Sequence, residues 1–224
     1  MRRRDVVSRV VRMGWRSLAA IAAAVAVTGL FLAGPRLAAS RVEPAFEAVP
    51  PAPAPGDEAR VRYPRDRQPV LTAPDGSRRR VASLLNVRQT MHYGDYVWDD
   101  AGIGSGPVWV QVDLSRQIVS VFRNGEEIGS AVVLYGTDGK PTPSGVFPIM
   151  QKARDHRSSL YDAAMPFMLR LTGDGVAIHA SDVRRGRATH GCIGVPPAFA
   201  EKLFAVVAHG DPVVILPPTR STAA

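Results

Sequence analysis

The chain lacks a second cysteine. Cys192 is the only one in 224 residues, so no disulfide can form within it and a disulfide scaffold is excluded. It also lacks a basic body, although the formal charge is +8. Residues 1–40 hold seven arginines against one aspartate, while residues 41–224 hold 21 basic and 19 acidic groups. Phosphate neutralisation needs a basic face on the folded part, so nucleic acid is not the expected partner. No internal repeat is present, which sets aside solenoids and propellers.

What is present at the N-terminus is a segregated pattern. Arg2, Arg3, Arg4, Arg9, Arg12 and Arg16 precede an uncharged Ala/Val/Leu-rich run from Ser17 to Pro35. Its 19 residues approach the roughly 20 that cross a bilayer as a helix. The arginines would hold the N-terminus in the cytoplasm. Residues 1–40 are therefore expected to be a basic stub with a signal-anchor. A cleavable signal peptide is the competing form, with Ala38-Ala39-Ser40 as the cleavage site. Either way the rest of the chain would lie in the periplasm or wall space, anchored to the inner membrane or secreted.

Residues 41–80 read as a linker. Pro50-Pro51-Ala52-Pro53-Ala54-Pro55 favours an extended, semi-rigid spacer, and residues 60–80 carry seven arginines against two aspartates. Residues 81–106 read as a lead-in segment without an assigned role. From Pro107 the pattern is that of strands: Val108–Asp113, Gln117–Phe122, then Asn124-Gly125 as a hairpin turn before Ile128–Tyr135. Further strands are expected at Val146–Met150, Phe167–Leu171, Val176–His179 and Pro212–Leu216. One helix opens at Pro196-Pro197, with Phe199, Leu203, Val206 and Val207 on one face and His209-Gly210 at its end. The expectation is a mostly β domain over 107–216 with one or two helices, and a short tail over 217–224.

Chemistry concentrates around the lone thiol. Cys192 sits in Thr189-His190-Gly191-Cys192-Ile193, and His179 ends the strand Gly175-Val176-Ala177-Ile178 a short loop upstream. A cysteine nucleophile needs its proton removed, and an imidazole can take it. Gly191 lets backbone approach a ligand, and the Cys192 amide could meet a developing oxyanion. The alternatives are a buried inert cysteine and a zinc site of His179, His190 and Cys192. The latter has no obvious fourth ligand nearby.

Taken together, Ile178-His179 and Thr189-His190-Gly191-Cys192-Ile193 resemble the signature of the YkuD-type L,D-transpeptidases. The resemblance extends back through Thr142-Pro143-Ser144-Gly145-Val146-Phe147 and forward to Gly210-Asp211-Pro212-Val213-Val214-Ile215, about half the chain. It implies a mostly β catalytic domain with the catalytic turn at a sheet edge, acting on peptidoglycan stem peptides. Cys192 would attack the carbonyl of the third stem residue and release D-alanine, with His179 as base and later proton donor. His190, Gly191 and Thr189 would shape the turn and the oxyanion and substrate site. No metal or cofactor is implied. The acyl group would pass to an amine, giving crosslinks. Hydrolysis by an L,D-carboxypeptidase and a catalytically silent wall-binding module are the alternatives. Two departures stand out: Gly194 occupies a position where Asn or Arg is usual, and Ala180 one where Gly or Ser is common. Arg184, Arg185 and Arg187 in the intervening loop are candidate contacts for stem carboxylates. His156 and Tyr161 are candidates on a lid-like segment.

Overall fold

A computed structural model describes residues 59–137, 139–158 and 162–218. The apolar run Ser17–Pro35, the Pro/Ala-rich segment, the tail beyond residue 218 and Tyr161 lie outside the described residues. Among the described residues no helix is long and apolar enough to cross a membrane.

Turn chemistry builds the central sheet. Strands β6 (Val108–Asp113) and β7 (Ile118–Arg123) run antiparallel with Asp113 opposite Ile118. Asp113 closes their turn itself, accepting from the Ser115 and Arg116 backbone N–H groups at 2.9 and 3.0 Å. Asn124 and Gly125, at φ +54° and +80°, form the left-handed pair of a two-residue hairpin leading to β8 (Glu126–Val132). A side chain at 125 would lie 2.9 Å from the Arg80 carbonyl, so glycine also admits the chain packed over this turn. On the other side of β6, strand β14 (Pro212–Leu216) runs parallel, and β9 (Gly145–Pro148) pairs antiparallel with β14.

Alternation then sorts side chains onto two cores. Val110, Val112, Val213 and Ile215 face an inner core shared with helix α1 (Pro197–Val206) and with a second sheet of β10 (Gln151–Ala153), β11 (Met168–Arg170), β12 (Ala177–Ala180) and β13 (Ile193–Val195). Trp109, Phe122, Val214 and Leu216 face an outer core. The expected mostly β fold with one or two helices is what the described residues form, with α1 as their one α-helix. Phe199 of α1 is fully buried, edge-on to Trp98 at 5.5 Å, and burial of such a side chain stabilises by about 2 kcal/mol.

Two expectations change. Residues 60–80, read as linker, form β1 (Arg60–Arg62), β2 (Val70–Thr72) and β3 (Arg78–Arg80). Their arginines suggested a solvated run, yet the β2–β3 hairpin covers the outer core: Leu71 is buried there and Arg79 lies over the stacked Trp109–Phe122 pair. The lead-in residues 81–106 likewise supply β4 (Ser83–Leu85) and β5 (Tyr96–Trp98), both paired to β8, with β1 beyond β4. Arg60, 3 % exposed, donates to the carbonyls of Glu127 and Asp99 and to Ser83, clipping β1 to the sheet.

The helix end is the second change. α1 stops at Val206, and Gly210 with φ +88° belongs to the turn after it. The cation at the helix C-terminus is Lys152 of β10, whose Nζ donates to the Phe204 and Val207 carbonyls. His209 is exposed. Long-range placement of a lysine on another strand carries no local sequence signal.

Candidate active site

Strands β12 and β13 run parallel, with Ile178 opposite Ile193, His179 opposite Gly194 and Ala180 opposite Val195. Side chains alternate, so Ile178, Ala180, Ile193 and Val195 enter the inner core. His179, Ser181, Cys192 and Gly194 are left on the opposite face. Cys192 stands one position ahead of β13, on the same face as its second neighbour Gly194. Four apolar anchors and a period of two thus bring the thiol and the imidazole to one surface. His179, Ser181 and Cys192 line a cavity of about 740 Å³.

The turn carrying Cys192 is braced from the segment after β8. Leu134 and Gly194 exchange both backbone hydrogen bonds at 2.9 Å, and the Thr189 N–H donates to the Tyr135 carbonyl at 3.1 Å. The Thr189 hydroxyl donates to the Cys192 carbonyl. Thr142, buried, accepts from the Gly136 N–H at 2.9 Å and donates to the Gly191 carbonyl at 3.0 Å. Gly191 holds φ +97°. Gly136 is required by close approach: a Cβ there would lie 2.8 Å from both Gly191 N and Cα and would collide with the Lys140 carbonyl. The Thr-Pro-Ser-Gly motif signalled this element, but Thr142 as the brace of the Cys192 turn was not legible.

Burial governs the electrostatics. It pushes the Cys192 thiol above its ordinary value; a backbone hydrogen bond from Ala177 and the Lys140 charge oppose this, and Asp174 adds to it. Burial lowers His179, and nearby His156 lowers it further, against a hydrogen bond to the Ala180 carbonyl. Burial thus favours the neutral form of both groups, thiol and imidazole. His179 Nδ1 lies 2.8 Å from the Ala180 carbonyl, which can only accept, so Nδ1 carries the proton and Nε2 has the free lone pair. The thiol donates weakly to the Gly175 carbonyl at 3.8 Å.

The other expected residues divide. Thr189 and His190 line the cavity, and Gly191 is buried in the turn behind it. Arg187 lines the cavity, but Arg184 and Arg185 do not; Arg184 is exposed and pairs with Asp182 at 2.7 Å. Arg184 is thus spent on the acid two residues before it. His156 lines the cavity from a hairpin-like flap, where Phe167 and Met165 N–H groups donate to the Arg154 and His156 carbonyls, each at 2.8 Å. Lys140, Asp174, Arg170 and Ser181 also line it and were not foreseen. They come from four separate segments, and only tertiary packing assembles them. Among the described residues no group of three or more His, Cys, Asp and Glu side chains could hold a metal ion.

The chain is similar to several known proteins. A family model described as the L,D-transpeptidase catalytic domain, YkuD, matches residues 107–215. L,D-transpeptidase 1 of Mycobacterium tuberculosis is 31% identical over 133 residues, 51% of this chain and 53% of that protein. The chain thus spans about half the length of the curated relatives it matches. Among solved structures, an L,D-transpeptidase from Stackebrandtia nassauensis is 25% identical with a TM-score of 0.48, covering 53% of this chain and 60% of that one. An L,D-transpeptidase variant from Enterococcus faecium is 26% identical with a TM-score of 0.46, covering 50% of each chain. Over residues 107–215 the chain belongs to the YkuD family of L,D-transpeptidase catalytic domains.

Proposed function

We propose that the protein is a cysteine L,D-transpeptidase acting on peptidoglycan stem peptides. One observation carries the reading: Cys192 and His179 share one strand face over a cavity, with Nδ1 committed to the Ala180 carbonyl and Nε2 left to accept a proton. In acylation Nε2 takes the thiol proton as Sγ bonds to the carbonyl carbon of the third stem residue. Backbone N–H groups of the Gly191–Cys192 turn meet the oxyanion. Collapse breaks the amide bond, and the imidazolium gives its proton to the departing D-alanine amine. An acceptor amine then attacks the thioester, passes its proton to His179, and the thiol leaves and is reprotonated. His190, Thr189 and Arg187 border the path of the peptide, and His156 borders it from the flap. The N-terminal arginines and the apolar run support a position outside the cytoplasm, tethered to or released from the inner membrane.

The test is the intact mass of the protein after incubation with tetrapeptide stems. A tripeptide adduct on Cys192, with release of D-alanine, is expected, together with crosslinked product when an acceptor amine is added. A protein that stays unmodified by stems and by a carbapenem would overturn the assignment.

A further inference from the structure

Gly194 is one of the two positions at which the sequence departs from the pattern it resembles, and the structure shows what lies where a side chain at 194 would go. A Cβ built at 194 would lie 2.7 Å from Ser181 Oγ and 2.8 Å from Ser181 Cβ, with Leu134 Cβ at 3.5 Å. Real Cβ atoms do not sit so close to such neighbours. Ser181 is tied down by its N–H donating to the Val195 carbonyl at 2.8 Å, and Gly194 by its two bonds to Leu134. Neither backbone can yield. With no side chain at 194, Ser181 leans across its place, and its Oγ reaches within 3.4 Å of His179 Nδ1. The Ala180 carbonyl is on the same nitrogen at 2.8 Å.

We propose that Ser181 and Gly194 form a matched pair in which the glycine makes room for the serine and the serine hydroxyl positions the His179 imidazole through Nδ1. This rests on His179 acting as the base. The hydroxyl is a second acceptor on the Nδ1 edge, beside the carbonyl. Because the carbonyl can only accept, the two oxygens together favour the tautomer with its proton on Nδ1. It matters most when Nε2 has taken the proton, because a hydrogen bond from a charged donor is the stronger one. Ser181 is a positioning residue: it acts through His179, and the polar group comes from the residue just after β12 rather than from the residue two after the cysteine.

The test compares acylation rate against pH, by intact mass with a carbapenem, for the parent chain, Ser181→Ala, Gly194→Ala and the double variant Ser181→Gly/Gly194→Ala. Ser181→Ala should acylate about fivefold more slowly, the size of one ordinary hydrogen bond, and its acid limb should move to lower pH. Gly194→Ala should be both slow and less heat-stable. The double variant removes the collision, so its melting temperature should recover while its rate stays low. A Ser181→Ala variant with the parent's rate and acid limb, or a double variant that recovers its rate, overturns the pairing. If the parent itself takes no adduct, the proposed function fails instead. Nitrogen NMR of the His179 ring then still decides, since the proton balance between Nδ1 and Nε2 must shift in Ser181→Ala.

Discussion

Two centres of this molecule bury titratable groups, and burial has opposite consequences in them. Around Arg60 and Glu127 every polar atom is answered by protein. Arg60 reaches two carbonyls and Ser83, and the Glu127 carboxylate accepts from the Leu85 N–H at 2.9 Å and from Ser120. Around Cys192 and His179 the partners stop short: the thiol donates only weakly, to the Gly175 carbonyl, and the pair opens on the cavity. The same desolvation that raises Glu127 raises Cys192 and lowers His179. A closed shell of partners turns it into structure; an open side leaves it for a substrate.

The sharpest way to break this comparison is to remove the key group from each centre. Cys192→Ala should abolish adduct formation, a loss of at least about a thousandfold in mass-detected acylation, and leave the melting temperature near the parent's, because the thiol donates only weakly. Arg60→Met should do the reverse. It leaves the Glu127 and Asp99 carbonyls and the Ser83 hydroxyl without their buried donor and should cost about 3 kcal/mol in denaturant unfolding, while acylation per folded molecule is unchanged. A stable Arg60→Met would mean that β1 is not clipped by this cluster. A smaller effect is expected between the two centres, at Thr142. Thr142→Val keeps the shape but leaves the Gly136 N–H and the Gly191 carbonyl unanswered, which should cost about 1–2 kcal/mol of stability and slow acylation by loosening the turn.

The two centres also differ in how far the sequence announces them. Cys192, His179 and the hairpins were legible because they depend on local chemistry: Asn124-Gly125 dictates its own φ values, and His179 stands at the end of an apolar strand. Strand β13 was not legible. Ile193-Gly194-Val195 is three residues long with a glycine at its centre, a poor strand in isolation, and it exists because β12 and Leu134 pair with it on two sides. Arg60 was read as one of many solvated arginines, since nothing local distinguishes a buried arginine whose acceptors lie 23 to 67 residues away. The same reasoning covers Lys140 and Asp174, which reach the cavity through folding, and Arg184, which is spent on Asp182.

The smallest expected effect is in the pH dependence of stability, where the two centres should pull in opposite directions. Glu127 has a raised pKa in the folded state, so the folded protein holds that proton over a range where the unfolded chain has lost it. Its contribution to stability is therefore lost as pH rises from the ordinary carboxylate value through the raised one. His179 has a lowered pKa, so the unfolded chain holds the extra proton, and stability is lost as pH falls from the ordinary histidine value through the lowered one. Each group can contribute a slope of at most about 1.4 kcal/mol per pH unit. Between the ordinary carboxylate and histidine values the two slopes oppose and partly cancel. Urea unfolding across this range should resolve them: Glu127→Gln makes stability climb more steeply with pH, and His179→Gln makes it flatter or falling. Identical slopes in the two variants would show that the centres are not buried in the opposite senses that their surroundings dictate. Acylation should follow His179 alone, holding its rate from neutral pH to below the ordinary histidine value and then falling tenfold per pH unit, whichever residue stands at 127.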